Sequence, residues 1–169
     1  MKSFIAAVSL SFVAAQSFAA DIVETARTDA RLSTLLGAVE AAGLLETLQG
    51  PGPFTIYAPQ NTAFDELPAE MVSDLLRPEN RSQLTDLLLY HVDDRKLTSR
   101  MFPLGTNPFK PVLMGERLCI TSNEQGVSIA DSTAETATVV TADIKADNGV
   151  IHVIDKVLIP GDRPKCRKK

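Results

Sequence analysis

Apolar residues between Ile22 and Leu48 recur at helical spacing. Leu32, Leu35, Leu36 and Val39 stand at i, i+3, i+4 and i+7, which puts them on one face of a helix. Gly43 stands where a left-handed residue ends such a helix, so the stretch reads as two or three short helices broken near Asp29 and at Gly43. Gly50-Pro51-Gly52-Pro53 stops helix outright, because proline has no amide hydrogen to donate. Phe54 to Ala58 then alternates in a β-branched and aromatic style and predicts a strand, which Pro59 ends. Asn61 is expected to cap a helix running through Phe64 to Leu67. Ala69 to Leu76 returns to the helical period. Pro78 suits a first helical position, and the helix after it turns Leu84, Leu87 and Leu88 inward before giving way to a strand near Tyr90-His91-Val92.

The second half changes character. Leu113 to Thr121, Gly126 to Ala130, Thr138 to Ala142 and Val150 to Ile159 are strand-length segments, separated by turn signals such as Asn123-Glu124-Gln125-Gly126 and Asp147-Asn148-Gly149. Asn148-Gly149 is expected to form a tight turn through positive φ, a device that sets register. Helices crowd the first half and strands the second, which predicts an α+β domain. A chain of 169 residues suffices for one such domain with its own core.

Charge divides the chain in three. Met1 to Ala19 carries one basic residue, an apolar run and a small-residue end, the plan of a secretory signal peptide cleaved near Ala19 or Ala20. The run is too short to span hydrocarbon, and Asp21 follows it in place of a basic flank. Residues 20–160 are expected to be the domain and 161–169 a basic tail. The tail holds five of the seventeen basic residues, and the stretch from Ala20 to Asp162 carries eleven basic against twenty-one acidic residues, near −10. The tail is either a handle for anionic surfaces, a strap onto its own acidic body or a frayed end. A periplasmic or secreted location follows from the leader. In that oxidising setting Cys119 and Cys166 are expected to pair, closing a 48-residue loop worth about 4 kcal/mol by chain entropy. The alternative is a buried thiol at Cys119 and an exposed one at Cys166 that pairs between chains.

Three segments carry a family likeness. Gly52-Pro53-Phe54-Thr55-Ile56-Tyr57-Ala58-Pro59-Gln60-Asn61-Thr62-Ala63-Phe64 joins a strand ending in Ala-Pro to a polar cap and an Ala-Phe pair. Leu88-Leu89-Tyr90-His91-Val92 holds a Tyr-His motif, and Asn148-Gly149-Val150-Ile151-His152-Val153-Ile154-Asp155-Lys156-Val157-Leu158-Ile159-Pro160 closes the series. In this order and separation they resemble the fasciclin-type domain from about Asp21 to Pro160. The resemblance implies a wedge-shaped β-sandwich of two sheets with several helices, serving adhesion or interaction in single-domain, bacterial-type members. It also implies binding through the Tyr-His motif and a later Asp-Ile pair, which fall on Tyr90, His91, Asp143 and Ile144, though the integrin partners of animal members do not transfer. The chain departs from the family after His91, where Asp93-Asp94-Arg95 replaces a Pro-Gly turn, and between Phe102 and Pro111.

On their own chemistry the motif residues read structurally. Phe54 and Ile56 share a strand face on which Phe64 packs. Tyr90 and His91 suit a hydrogen-bonded corner, and His152 shares a core-facing row with Val150 and Ile154. The side-by-side carboxylates Asp65-Glu66 and Asp93-Asp94 point apart and suit a solvated face.

Catalysis finds no apparatus in the sequence. There is no Gly-x-Ser-x-Gly elbow and no phosphate-binding glycine loop, and two His with two Cys leave no zinc set to spare. No cofactor or metal is expected, and the acidic body with no Trp argues against nucleic acid. The expected function is an exported, non-catalytic module that binds a protein or polysaccharide at the cell envelope or outside the cell. The alternative is a periplasmic carrier of a small hydrophobic ligand or glycan.

Overall fold

The computed structural model describes residues 20–109, 111, 117–133, 135–161 and 166. The expected signal peptide and most of the basic tail lie outside the described residues.

The N-terminal helices follow the apolar spacing. α1 (Ile22–Arg27) is capped by the Asp21 carboxylate, which accepts the Glu24 amide at 2.8 Å. A 3-10 turn over Ala30–Leu32 leads into α2 (Ser33–Ala42), which ends at Gly43 with φ 73°. α3 (Leu45–Leu48) completes the layer. α4 (Asn61–Asp65) and α5 (Ala69–Leu75) follow the first strand, and Pro78 opens a 3-10 turn that runs into α6 (Arg81–Tyr90).

Asn61 acts differently from expectation. It is the first residue of α4 and makes no cap for that helix. Its side chain instead reaches the start of α2, accepting the Thr34 amide at 3.0 Å and donating to the Ala30 carbonyl at 3.0 Å. It therefore serves the free amides of a neighbouring helix end.

The strands are β1 (Phe54–Pro59), β2 (Val92–Asp93), β3 (Gly105–Phe109), β4 (Leu118–Asn123), β5 (Gly126–Ala130), β6 (Thr136–Ala146) and β7 (Gly149–Ile154). They form one seven-stranded sheet in the order β2-β1-β7-β6-β5-β4-β3. This corrects the expected two-sheet sandwich. The long β6 is the reason, since it pairs with β5 through Thr136, Ala137 and Thr138 and with β7 from Val139 to Ala146. The same strand joins what would otherwise be two sheets, and register shifts between Val139 and Ile144 curl it. Asp143 sits in this bend with φ 61°.

Two main cores lie on opposite sides of the strands. Ile56 and Ala58 of β1 with Ile151 and Val153 of β7 pack beneath α1, α2 and α6, with Phe54 and Phe64 half-buried against them. Tyr57 and Ile154 face the other side, with Leu118, Ile120, Val127 and Ile129. This alternation follows from the period of two in a strand.

The Asn148-Gly149 corner corrects another expectation. Neither residue has positive φ. The Asn148 side chain accepts the Ile22 amide at 2.8 Å and donates to the carbonyls of Leu48 and Gly50 at 2.7 and 2.8 Å, tying α1 and α3 to the hairpin. A Cβ on Gly149 would lie 2.1 Å from the Phe54 oxygen, so close strand approach demands glycine there.

Candidate functional site

The polar residues singled out by sequence fall into two buried arrangements and one bend. The first is the Tyr90-His91 corner at the end of α6. Tyr90 is fully buried and its hydroxyl donates to the Arg117 carbonyl at 3.1 Å. The His91 ring bridges two segments 67 residues apart. Nε2 accepts the Leu158 amide at 2.9 Å, which leaves Nδ1–H to donate to the Leu87 carbonyl at 2.8 Å. Burial pushes its pKa down to about 4, with the Leu87 bond working against that shift. His91 is thus a neutral tie between α6 and the segment after β7.

The second arrangement pins the segment from Asp93 to Ser99. Three adjacent strands each supply one group. From β1, the Thr55 hydroxyl donates to the Arg95 carbonyl at 2.5 Å and accepts the Leu97 amide at 2.8 Å. From β7, His152 accepts the Asp143 amide on Nδ1 at 3.2 Å and donates from Nε2 to the Leu97 carbonyl at 2.7 Å. From β6, the Asp143 carboxylate accepts the Ser99 amide at 2.7 Å and the Ser99 hydroxyl at 2.5 Å. Burial lowers the pKa of His152 and keeps the ring neutral. Burial works to raise that of Asp143, but the Ser99 hydroxyl and amide outweigh it and the net direction is down.

Aromatic rings line this arrangement. His152 stacks on Tyr57 with centroids 6.0 Å apart and lies 5.8 Å from Phe102, which meets Phe109 edge-on at 5.4 Å. The Tyr57 hydroxyl is buried without a hydrogen-bond partner, and burial raises its pKa. No chemistry is apparent for it, since its ring is already fixed by packing.

The Asp93-Asp94-Arg95 turn corrects the solvated-face expectation. Asp93 is 1% exposed, and its carboxylate accepts the Arg95 amide at 3.1 Å and the guanidinium at 2.8 and 2.6 Å. The Asp93 bond raises the Arg95 pKa. This paired charge closes the turn. Thr55 and Ser99 carry no short-range signal in the sequence, because their partners Arg95, Leu97 and Asp143 lie forty or more positions away.

Asp143 and Ile144 are placed together at the bend of β6, both half-buried, with Ile144 against the helix-side core. Tyr90 and His91 are not brought to them. Cys119 and Cys166 form a disulfide with their Cα atoms 5.3 Å apart. Among the described residues, no group of three or more His, Cys, Asp or Glu side chains is placed to hold a metal ion. None of the described helices is long and apolar enough to cross a membrane.

Comparison with known proteins agrees with this architecture. The chain is 44% identical over 147 residues to Protein sll1483 of Synechocystis, covering 87% of this chain and 77% of that one. It is 31% identical over 141 residues to human periostin, covering 83% of this chain and 16% of periostin. Its fold matches a FAS1 domain pair from the insect cell adhesion molecule Fasciclin I, with a TM-score of 0.70 at 16% identity. That match covers 83% of this chain and 51% of the pair, so the chain spans about half of it. With residues 30–160 matching the Fasciclin domain, the chain belongs to the fasciclin domain family, whose modules serve adhesion and interaction without catalysis.

Proposed function

We propose that the chain is an exported, non-catalytic module that docks on a protein or polysaccharide at the cell envelope or outside the cell. The observation that carries this reading is that both histidines have each ring nitrogen committed to the backbone inside the fold. Their polar capacity is spent on shape, so function falls to the surface that this framework holds rigid. Within the set Tyr90, His91, Asp143 and Ile144, the half-buried Asp143 and Ile144 are the direct contacts. Tyr90 and His91 act inside the fold, tying α6 to Arg117 and to the segment after β7.

The test is retention of the chain by envelope fractions treated with protease or with periodate. Loss of retention after one treatment names a protein or a glycan partner, and Ile144→Ser should weaken whichever binding is found. Retention no greater than that of serum albumin in every fraction would overturn the proposal.

A second reading, a carrier of a small hydrophobic ligand, has one observation in its favour. An apolar groove of about 280 Å³ lies between α2, α5 and α6, lined by Phe64, Leu75, Leu84 and Leu87. This is at the small end for a ligand pocket, roughly 300 to 1,000 Å³. The apolar cavity beneath α1 is only about 30 Å³. Native mass spectrometry of protein from its own host would show a retained ligand if the carrier reading is right.

A further inference from the structure

The groove between α2, α5 and α6 has an apolar lining and a charge at one end. α5 buries none of its residues, and Leu76, its C-cap, is 51% exposed. Leu75 and Leu76 line the groove from that side, Leu84 and Leu87 from α6, and Gly37 and Ala38 from α2. A Cβ on Gly37 would meet nothing within 4 Å, so α2 leaves the groove its depth there. Thr34 is the one polar residue among the described residues that line it. Such a lining suits neither a sugar nor a peptide backbone, whose polar groups would go unpaired against it. It suits an alkyl chain. A water takes about 30 Å³ of liquid and a methylene is of similar size, so 280 Å³ holds about nine methylene-sized groups.

Arg81 supplies the charge. It stands three residues before Leu84, on the same face of α6, and about 9 Å along the helix axis from Leu87. Its Nε donates to the Ala42 carbonyl at 3.1 Å and its guanidinium rests against Gly43, which fixes it at the C-terminal end of α2. That bond uses one of the guanidinium donors and leaves Nη1 and Nη2 to bind another group. Among the described residues Arg81 makes no ion pair. Asp74 is taken by Arg77 at 3.3 Å, while Glu40 and Glu79 are exposed and do not pair with Arg81. A guanidinium with donors to spare, held at the end of an uncharged apolar trough, matches a carboxylate joined to an alkyl tail.

We infer that this groove binds a medium-chain fatty acid. The tail lies over Gly37 and Ala38 between the leucines of α5 and α6, and the carboxylate accepts from Nη1 and Nη2 of Arg81. The acidic excess of the chain opposes an anion at long range, but it is screened beyond about 8 to 10 Å, which leaves the guanidinium in contact to decide. The inference rests on the second reading, a carrier of a small hydrophobic ligand, and names the class of that ligand. It does not involve Asp143 or Ile144.

The test titrates the full chain in a calorimeter with octanoate, decanoate and uncharged 1-octanol, each below the concentration at which it aggregates. Burying one methylene is worth about fourfold in affinity. Decanoate is therefore expected to bind up to about fifteenfold tighter than octanoate, and octanoate at least tenfold tighter than 1-octanol. Gly37→Leu puts a side chain into the open groove and should weaken all three at least tenfold without lowering the melting temperature. Arg81→Gln should bring octanoate down to the level of 1-octanol and leave 1-octanol binding unchanged, which also shows that the groove is still folded. Binding indifferent to Gly37→Leu would overturn this groove as the site. Octanoate and 1-octanol bound equally, and lost together in Gly37→Leu, would overturn the acid head group and leave the carrier reading standing. No binding of any of the three overturns the inference. Native mass spectrometry of protein from its own host then decides the carrier reading, which stands if another hydrophobic ligand is retained and falls if none is.

Discussion

Acidification addresses the buried histidines directly. His91 is 2% exposed and its Nε2 receives the Leu158 amide, so a proton added there would meet another N–H. Burial moves its pKa from 6.5 to about 4. Between those values the unfolded chain binds more protons than the folded one, and stability therefore falls as pH falls. The contribution of neutral His91 is complete above pH 6.5 and gone below about 4, a loss of about 3 kcal/mol. His152, also lowered by burial, adds a loss of the same sign below its ordinary value. Asp143 has a pKa below 3.8, so its contribution lasts until the pH drops through that lower range and does not explain losses above it. Urea unfolding of the full chain from pH 7 to pH 4, with His91→Gln in parallel, separates these effects. The Gln amide retains a donor and an acceptor but does not titrate. The variant is expected to be less stable at pH 7 and to lose less on acidification. A variant profile parallel to the wild type between pH 6.5 and 4 would refute the assignment of this loss to His91.

Four further outcomes follow from individual contacts. Asn61→Ala removes the side chain that serves the start of α2 and should cost about 1 kcal/mol, read from the urea midpoint. Gly149→Ala places a Cβ against the Phe54 oxygen and should cost about 1 to 3 kcal/mol, while an unchanged midpoint would contradict that close approach. Tyr57→Phe deletes a buried hydroxyl that has no partner, so thermal melting should show unchanged or higher stability. Reducing the disulfide frees a loop spanning a separation of 47 residues and should lower stability by up to about 4 kcal/mol, measured with and without reductant.

Local pattern made much of this fold legible. The helices around Leu32 to Val39 and Leu84 to Leu88, the stop at Gly43 and the strand Phe54–Pro59 follow from spacing or turn chemistry, whereas the strand expected over Val150 to Ile159 runs only from Gly149 to Ile154. The joining of the strands into one sheet was not legible, because it depends on β6 pairing on both edges through a bend at Asp143. Asn61 carries a good capping residue's chemistry, but tertiary contact decides which helix receives it. Gly149 reads as a turn glycine in sequence, whereas its neighbours in space require its missing Cβ. Asp93 reads as solvated beside Asp94 because its charge pairing with Arg95 and its burial in the edge strand β2 are not visible in a run of acids. In the candidate site, the motif residues themselves were visible, but Thr55 and Ser99 were not. Their roles arise from bonds to segments 40 and 44 residues away.

Under the proposed function, Tyr90 shapes the module from inside while binding is carried by its surface. Tyr90→Phe tests this by deleting only the hydroxyl that donates to the Arg117 carbonyl. Stability and retention by envelope fractions should be measured together, at a temperature where the variant remains folded. The expected result is a loss of about 1 kcal/mol of stability with retention equal to the wild type. Loss of retention with unchanged stability would contradict it, because it would make the Tyr90 hydroxyl a binding group.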